Sequence, residues 1–368
     1  MVKLSICITT YNQSELLRRN LENLLRYPGD DVEFVVSDNC STEDIRALTE
    51  SLHDPRIRYC RTERNVGQDG NILNAFRHCS APYAFLLRTK DTLLPEKIPT
   101  VIETVCAHPE AGYWRFNCVD ETGKPQSGLS DAIYPAGEPA LRAQHRSMVH
   151  PSGEVYNLSY LTPQELDVLD SYRARYFPNH MGFVTDVLLR YLLLSRSAFG
   201  TGSAFVWVYL SGKASVTGTV NKAADRKSVY HPDYIYPRYA CEMEYIAKEL
   251  PPEHRLLLHR LTLRRYCQAV TVAYKYINGN KTSQAHYGCE EQPFSVSAER
   301  RAFWRKTLEL IRDYPPQEQR ELKHYARFCL TVIQLRWEAS HFLGPLIKTK
   351  LLGALALHRA QREKDSQL

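Results

Sequence analysis

The stretch Leu4–Leu25, LSICITTYNQSELLRRNLENLL, reads as a strand over Leu4–Thr9, a polar turn, and a helix over Ser14–Arg26. The helix follows from the recurrence of Leu17, Leu21, Leu24 and Leu25 at helical spacing. The same alternation continues downstream. Val32–Ser37 is a second strand, and Ser41, with Asp44 three residues on, is the expected N-cap of a helix running to about Leu52. Ile57–Thr62 is a third strand, Gly70–His78 a helix and Tyr83–Leu87 a fourth strand. Strands and helices in this rhythm form βαβ units and a parallel sheet. Ligands of such sheets bind beyond the carboxyl ends of the strands. Thr10-Tyr11-Asn12, Asp38-Asn39, Arg64-Asn65 and Arg88-Thr89-Lys90-Asp91 all fall there.

The chain has 368 residues, 43% hydrophobic and 24% charged, long enough for two domains. No apolar run approaches the roughly 18 residues of a membrane span. The N-terminus reads as a strand and not as a signal peptide. Ten scattered cysteines, with no C-x-x-C pair, argue against a zinc site or a disulfide framework and for a reducing cytoplasm. Net charge is +6, yet residues 300–368 alone hold 14 basic and 7 acidic side chains, so the excess belongs to the C-terminal segment.

Residues 120–165 are expected to hold loops or short antiparallel strands. Thr185–Arg196 reads as a helix, and Ala204–Leu210 and Ala214–Val220 as strands. Beyond about Tyr239 the pattern becomes one of long helices. The expected organisation is one α/β domain over 1–225 and a helical domain over 226–368.

LSICITTYNQSELLRRNLENLL, VEFVVSDNCSTEDI and RNVGQDGNILNAF, in this order, resemble the nucleotide-binding half of an inverting family 2 glycosyltransferase of the GT-A fold. The Gly-Asn spacing of the third piece is most similar to transferases of bacterial O-antigen or capsule synthesis, such as the abequosyltransferase-like group. The resemblance is good over residues 3–94, weaker to about 220 and absent beyond. It implies a Rossmann-like, mostly parallel sheet flanked by helices. It also implies a nucleotide-sugar donor (UDP-, CDP- or similar) and a glycan or lipid-linked oligosaccharide as acceptor. Thr10 and Tyr11 would line the base pocket, Tyr11 would pack on the nucleobase, and Asp38 would bond its edge. The other reading of Asp38-Asn39 is a turn capping the next helix. Asn65, Asp69 and Asn71 would shape the ribose and sugar side.

The departure lies at LLRTKDTLL, residues 86–94. The family carries an Asp-x-Asp-Asp run here, whose carboxylates hold Mn²⁺ or Mg²⁺ against the donor diphosphate. Arg88 and Lys90 stand in the two metal-liganding places and only Asp91 stays acidic. Two unit charges at 4 Å attract by about 4 kcal/mol near a protein surface. Two cations can therefore neutralise a departing diphosphate as a metal does, Arg88 with a planar fork and Lys90 as a point charge. The expectation is a metal-independent enzyme. The alternative is an inactive GT-A protein that binds glycan or nucleotide and carries solvated loop charges.

An inverting transfer needs one carboxylate as base. The family places it about a hundred residues past the metal motif, at a helix start. Asp186, in MGFVTDVLLRYLLLS, fits that place. A first-turn Asp complementing the helix dipole is the competing reading. Asp167 and Asp170 are reserves. His150 and His180 are candidates for contact with acceptor or phosphate, and His231 for a phosphate contact. Finally, Leu343, Ile347, Leu351 and Leu355 repeat every four residues, flanked by Lys348, Lys350, Arg359 and Arg362. This basic amphipathic pattern suits either peripheral contact with an anionic membrane's inner face or packing on protein. Nucleic acid fits poorly, because no aromatics interleave with the charges.

Overall fold

The computed structural model describes residues 1–146, 152–178, 184–210, 232–277 and 296–338. The strands and helices read from the first hundred residues are all present, with ends moved by one to three residues. They are β1 (Leu4–Thr10), α1 (Ser14–Leu24), β2 (Val32–Asp38), α2 (Ile45–Glu50), β3 (Ile57–Arg61), α3 (Gly67–Arg77) and β4 (Tyr83–Arg88). The remaining elements up to the long helices are β5 (Thr92–Leu93), α4 (Ile98–Ala107), β6 (Ala111–Asp120), β7 (Ala132–Tyr134), α5 (Glu138–Arg146), β8 (Glu154–Asn157), α6 (Pro163–Tyr176), α7 (Thr185–Arg196) and β9 (Ala198–Tyr209). Periodicity does not reveal β6, whose first eight residues are all buried, so that polar and apolar positions do not alternate.

Strand order is β3-β2-β1-β4-β8-β6-β9-β5, with β7 also on β9. The β3-β2-β1-β4 half is parallel, and β8 joins it antiparallel on β4. Side chains alternate between the two faces. Ile6, Ile8, Phe34, Val36, Phe85 and Leu87 pack with Leu17 and Leu21 of α1 and Ile98 and Val101 of α4. Cys7, Val35, Ala84 and Leu86 pack with Ile72 of α3, Leu169 of α6 and Leu188 of α7. Helices cover both faces, as a parallel sheet requires.

Two local expectations change. The N-cap of α2 is Asp44, whose carboxylate accepts from the Ala47 N–H at 2.9 Å. Ser41 instead accepts from the Asn12 N–H at 3.0 Å. Asn12 adopts a left-handed backbone (φ 50°), and its side-chain oxygen accepts from the Thr42 N–H, binding the β1 and β2 loops together. The second change concerns the boundary near residue 225. The chain divides into compact units at Leu261/Thr262. Helix α8 (Pro232–Glu249) contributes Cys241, Tyr245 and Ile246 to the core beneath the sheet, which ties it to the first unit.

The second unit holds the end of α9 (Pro252–Ile277) with α10 (Val296–Leu310) and α11 (Pro316–Glu338). Tyr266 stacks on Phe303 there, ring centroids 4.5 Å apart. The helical C-terminal expectation therefore holds for the described residues. No helix among them is long and apolar enough to cross a membrane. His150, His180, His231, the Ala214–Val220 strand and the basic tail from 339 onward lie outside the described residues.

Candidate active site

The corner after β4 is built by hydrogen bonds from three other segments. Asn20 of α1 donates to the carbonyls of Thr89 and Asp91, at 3.3 and 2.7 Å, and the Thr89 hydroxyl donates to Thr9 O at 2.8 Å. These bonds fix the backbone that carries the two cations. Asp91 is fully buried. It accepts from Lys90 Nζ at 2.7 Å and from the Ser152 hydroxyl at 2.5 Å, and Arg88 Nε lies 3.6 Å away. Lys90 also donates to Leu210 O at 2.7 Å and sits 4.3 Å from the centre of the Tyr209 ring. Burial pulls the Lys90 ammonium below the usual lysine range, and the Asp91 carboxylate opposes that. The reading of Lys90 as a solvated loop charge is corrected: its side chain is 8% exposed and held on several sides. Arg88, with 20% of its side chain exposed, is the more outward of the two cations.

These residues do not fit a divalent metal. Asp91 brings one carboxylate whose oxygens already accept from Lys90 and Ser152, and two cations beside it give the trio a formal charge of +1. Among the described residues no group of three or more His, Cys, Asp or Glu is arranged to hold one.

The expected nucleotide residues gather at the ends of β1 and β2, though several are engaged within the protein. Asp38 is buried, and one of its oxygens accepts from the Ser41 N–H at 2.8 Å. The other accepts from Tyr59 at 2.9 Å and from Arg61 at 2.7 Å. The turn of the other reading is therefore present, but it does not cap the next helix, whose N-cap is Asp44. An imide N–H would have to compete with Tyr59 and Arg61 for the second oxygen. Asn39 donates to Asn65 at 2.9 Å and accepts from the Val66 N–H at 2.8 Å, so this pair locks the start of α3 to the end of β2. Asn71 is buried and donates to Ser37 O at 2.9 Å, which makes it a strut and not an open ribose contact. Thr10 is buried with no partner for its hydroxyl among the described residues, and Tyr11 is half-buried beside it.

Asp69 departs furthest from the expected ribose side. It is buried on α3, and one oxygen accepts from the N–H groups of Val184 and Thr185, at 2.6 and 2.9 Å. It thus caps the start of α7 from 115 residues away in sequence.

Asp186, in the first turn of α7, pairs with Arg190 one turn on at 2.9 Å, and Arg190 reaches Glu154 at 2.7 Å. Glu154 also accepts from Tyr113 and Tyr156, at 2.8 and 2.5 Å. Burial raises the Glu154 carboxyl above its usual range while Arg190 opposes the rise. The second oxygen of Asp186 has no hydrogen-bond partner among the described residues. Of the reserves, Asp167 is exposed and paired with Arg77, and Asp170 pairs with Arg173.

Segment Ser152–Glu154 links the two centres. Ser152 binds Asp91 and also accepts from the Arg88 N–H, whereas Glu154 pairs across the sheet with Leu86 and binds Arg190. Gly153 between them has φ 80°, and a Cβ there would run into the Trp207 indole nitrogen. Sequence reasoning missed Ser152, Glu154 and Arg190. The signal for Arg190 was visible, as a cation four residues after Asp186 flanked on both sides by apolar residues.

A mixed sheet with helices on both faces, and polar residues collected past the ends of its parallel strands, is the architecture of GT-A-type proteins. It is similar to Staphylococcus aureus TarS 1-349 in complex with UDP-GlcNAc, with TM-score 0.62, 16% identity and coverage of 93% of this chain and 92% of that one. The same protein in complex with UDP gives 0.60 at 15% identity, with the same coverage. At this identity the likeness shows the fold.

Residues 5–161 match the family described as glycosyl transferase family 2. The Rhizobium meliloti succinoglycan biosynthesis protein ExoO is 30% identical over 96 residues, 26% of this chain and 28% of that protein. The Campylobacter jejuni GalNAc(5)-diNAcBac-PP-undecaprenol beta-1,3-glucosyltransferase is 28% identical over 106 residues, 28% of this chain and 34% of that protein. The aligned part spans about a third or less of these relatives' length.

Proposed function

We propose that this chain is an inverting nucleotide-sugar glycosyltransferase that works without a divalent metal. The carrying observation is the run of bonds from Arg88, Lys90 and Asp91 through Ser152–Glu154 to Arg190 and Asp186. It joins two cations that share one carboxylate to a candidate base through one hydrogen-bonded segment. In the reaction, an acceptor hydroxyl oxygen attacks the anomeric carbon and its proton passes to Asp186. The bond from that carbon to the donor phosphate breaks, and the diphosphate leaves with its charge. Arg88, the more outward cation, grips the phosphate oxygens, and Lys90 adds field from behind. Arg190 holds Asp186 in place through one oxygen, which leaves the other for the proton.

A UDP- or CDP-type donor is consistent with the UDP-GlcNAc bound to the TarS fold relative. A lipid-linked or surface polysaccharide acceptor is consistent with the names of the two bacterial relatives. Membrane contact through the basic tail is part of the same proposal. A non-catalytic binding role is the second reading, favoured by the engagement of Asp38 with Arg61 and by the burial of Asp186.

Release of free nucleotide from UDP- and CDP-sugars, followed in EDTA and with added Mn²⁺, separates these readings. Equal rates are expected. Loss of turnover in chelator with rescue by Mn²⁺ overturns metal independence, and tight binding with no release in either condition selects the second reading.

A further inference from the structure

One helix faces both halves of the site. Its N-terminal end is tied to the β2 end by the Asn39–Asn65 pair and by Asn71. Two residues before Asn71, on that same helix, Asp69 turns its carboxylate to the start of α7. Helix α7 makes no capping bond from its own preceding side chain, Val184 being unable to supply one. The orphan N–H groups at a helix start need an acceptor when buried. Asp69 supplies it for two of them with a single oxygen.

The geometry points to Asp69 as a positioning residue for the base: from α3 it caps α7 across the fold and sets where Asp186 stands. This rests on the proposed role of Asp186. The cap bonds the Thr185 N–H, and Asp186 is the next residue, so movement of this turn carries the base with it. A carboxylate misplaced by about 1 Å costs an enzyme up to about a hundredfold.

The cap also has a charge. Asp69 faces the Asp186 carboxylate of α7, with Arg190 one turn beyond. Arg238 and Cys241 approach from α8, and Arg173 of α6 donates to Val66 O at the start of α3. The strands beneath α3 end in Asp38 and Arg61, which pair with each other. Burial first, and then the Asp186 charge, push the Asp69 carboxyl up to about 7, against the two N–H bonds. Its folded value is raised, so its contribution to stability is complete below the ordinary carboxylate range and is lost as pH rises through about 7. Asp69→Asn keeps an oxygen acceptor for the two N–H groups and removes that titration.

The test compares Asp69→Ala with Asp69→Asn in the full chain, by amide hydrogen exchange over residues 184–190, by kcat and KM of nucleotide release, and by melting temperature against pH. Asp69→Ala is expected to speed exchange at the start of α7 and lower kcat about tenfold, with a smaller change in KM. Asp69→Asn is expected to keep wild-type exchange and restore most of kcat. Its melting temperature, relative to wild type, should rise as pH goes from about 4 to above 7. Unchanged exchange in Asp69→Ala overturns the cap, whether or not the protein turns over donor. If Asp69→Ala does not fold, Asp69→Asn decides: faster exchange at the start of α7, or a melting temperature that does not rise relative to wild type between about pH 4 and above 7, overturns the proposal. A wild type without turnover that still shows the exchange difference fails the functional reading and leaves the cap standing.

Discussion

The corner after β4 and the start of α7 are both built from buried ion pairs, with opposite balance. At the first, Arg88 and Lys90 outnumber Asp91. At the second, in direct ion pairs, Asp186 and Glu154 outnumber the single Arg190 they share. A cation surplus suits the side where a diphosphate gathers charge, and a carboxylate surplus suits the side where a proton is taken up. Burying charge is costly unless it is paired and hydrogen-bonded, and each centre leaves only a small imbalance. The comparison teaches that one segment, Ser152–Glu154, can hold both centres, which in the proposed reaction would serve the leaving group and the base.

Breaking the second centre should have the larger effect. Asp186→Asn is expected to slow nucleotide release in the presence of acceptor by about 10³-fold or more, with donor affinity retained. A loss below about tenfold would return Asp186 to a helix-dipole role. Breaking the first centre comes next. Arg88→Ala or Lys90→Ala should each lower kcat by about 10²- to 10³-fold, by analogy with deleting one oxyanion-stabilising donor. Because Lys90 holds Asp91 and Leu210, its variant should also lower the melting temperature, whereas Arg88→Ala should act chiefly on rate. Equal melting temperatures for the two would show that the pairs do not differ as drawn. The smallest effect sharpens the choice of base. Asp167→Asn removes an exposed pair with Arg77 and should change stability by no more than about 1 kcal/mol and rate by less than about twofold.

The parallel half of the sheet was legible because β1, β2, β3 and β4 alternate with helices of clear period, and each element ends within a few residues of its expected place. The basic substitution at LLRTKDTLL was legible for the same reason, since strand position alone puts residues 88–91 at the ligand edge. The candidate base at Asp186 came from the resemblance and from a helix whose bounds were expected and found. By contrast, β6 and β8 carry no alternation, and the domain boundary lies within a continuous helix, α9, where no linker composition marks it.

Local sequence therefore determined which elements form and which residues stand at their ends, because periodicity and capping act over a few residues. It also determined the sign of the charge beneath the expected phosphates. Only tertiary structure decided what those residues bond. Asp38 meets Arg61, Asp69 meets the start of α7, and Arg190 meets Glu154, across 23, 115 and 36 residues of chain. The reason is that a buried charge takes whichever partner the packing brings to it, and that partner is set by strand order and helix placement, which no local window contains.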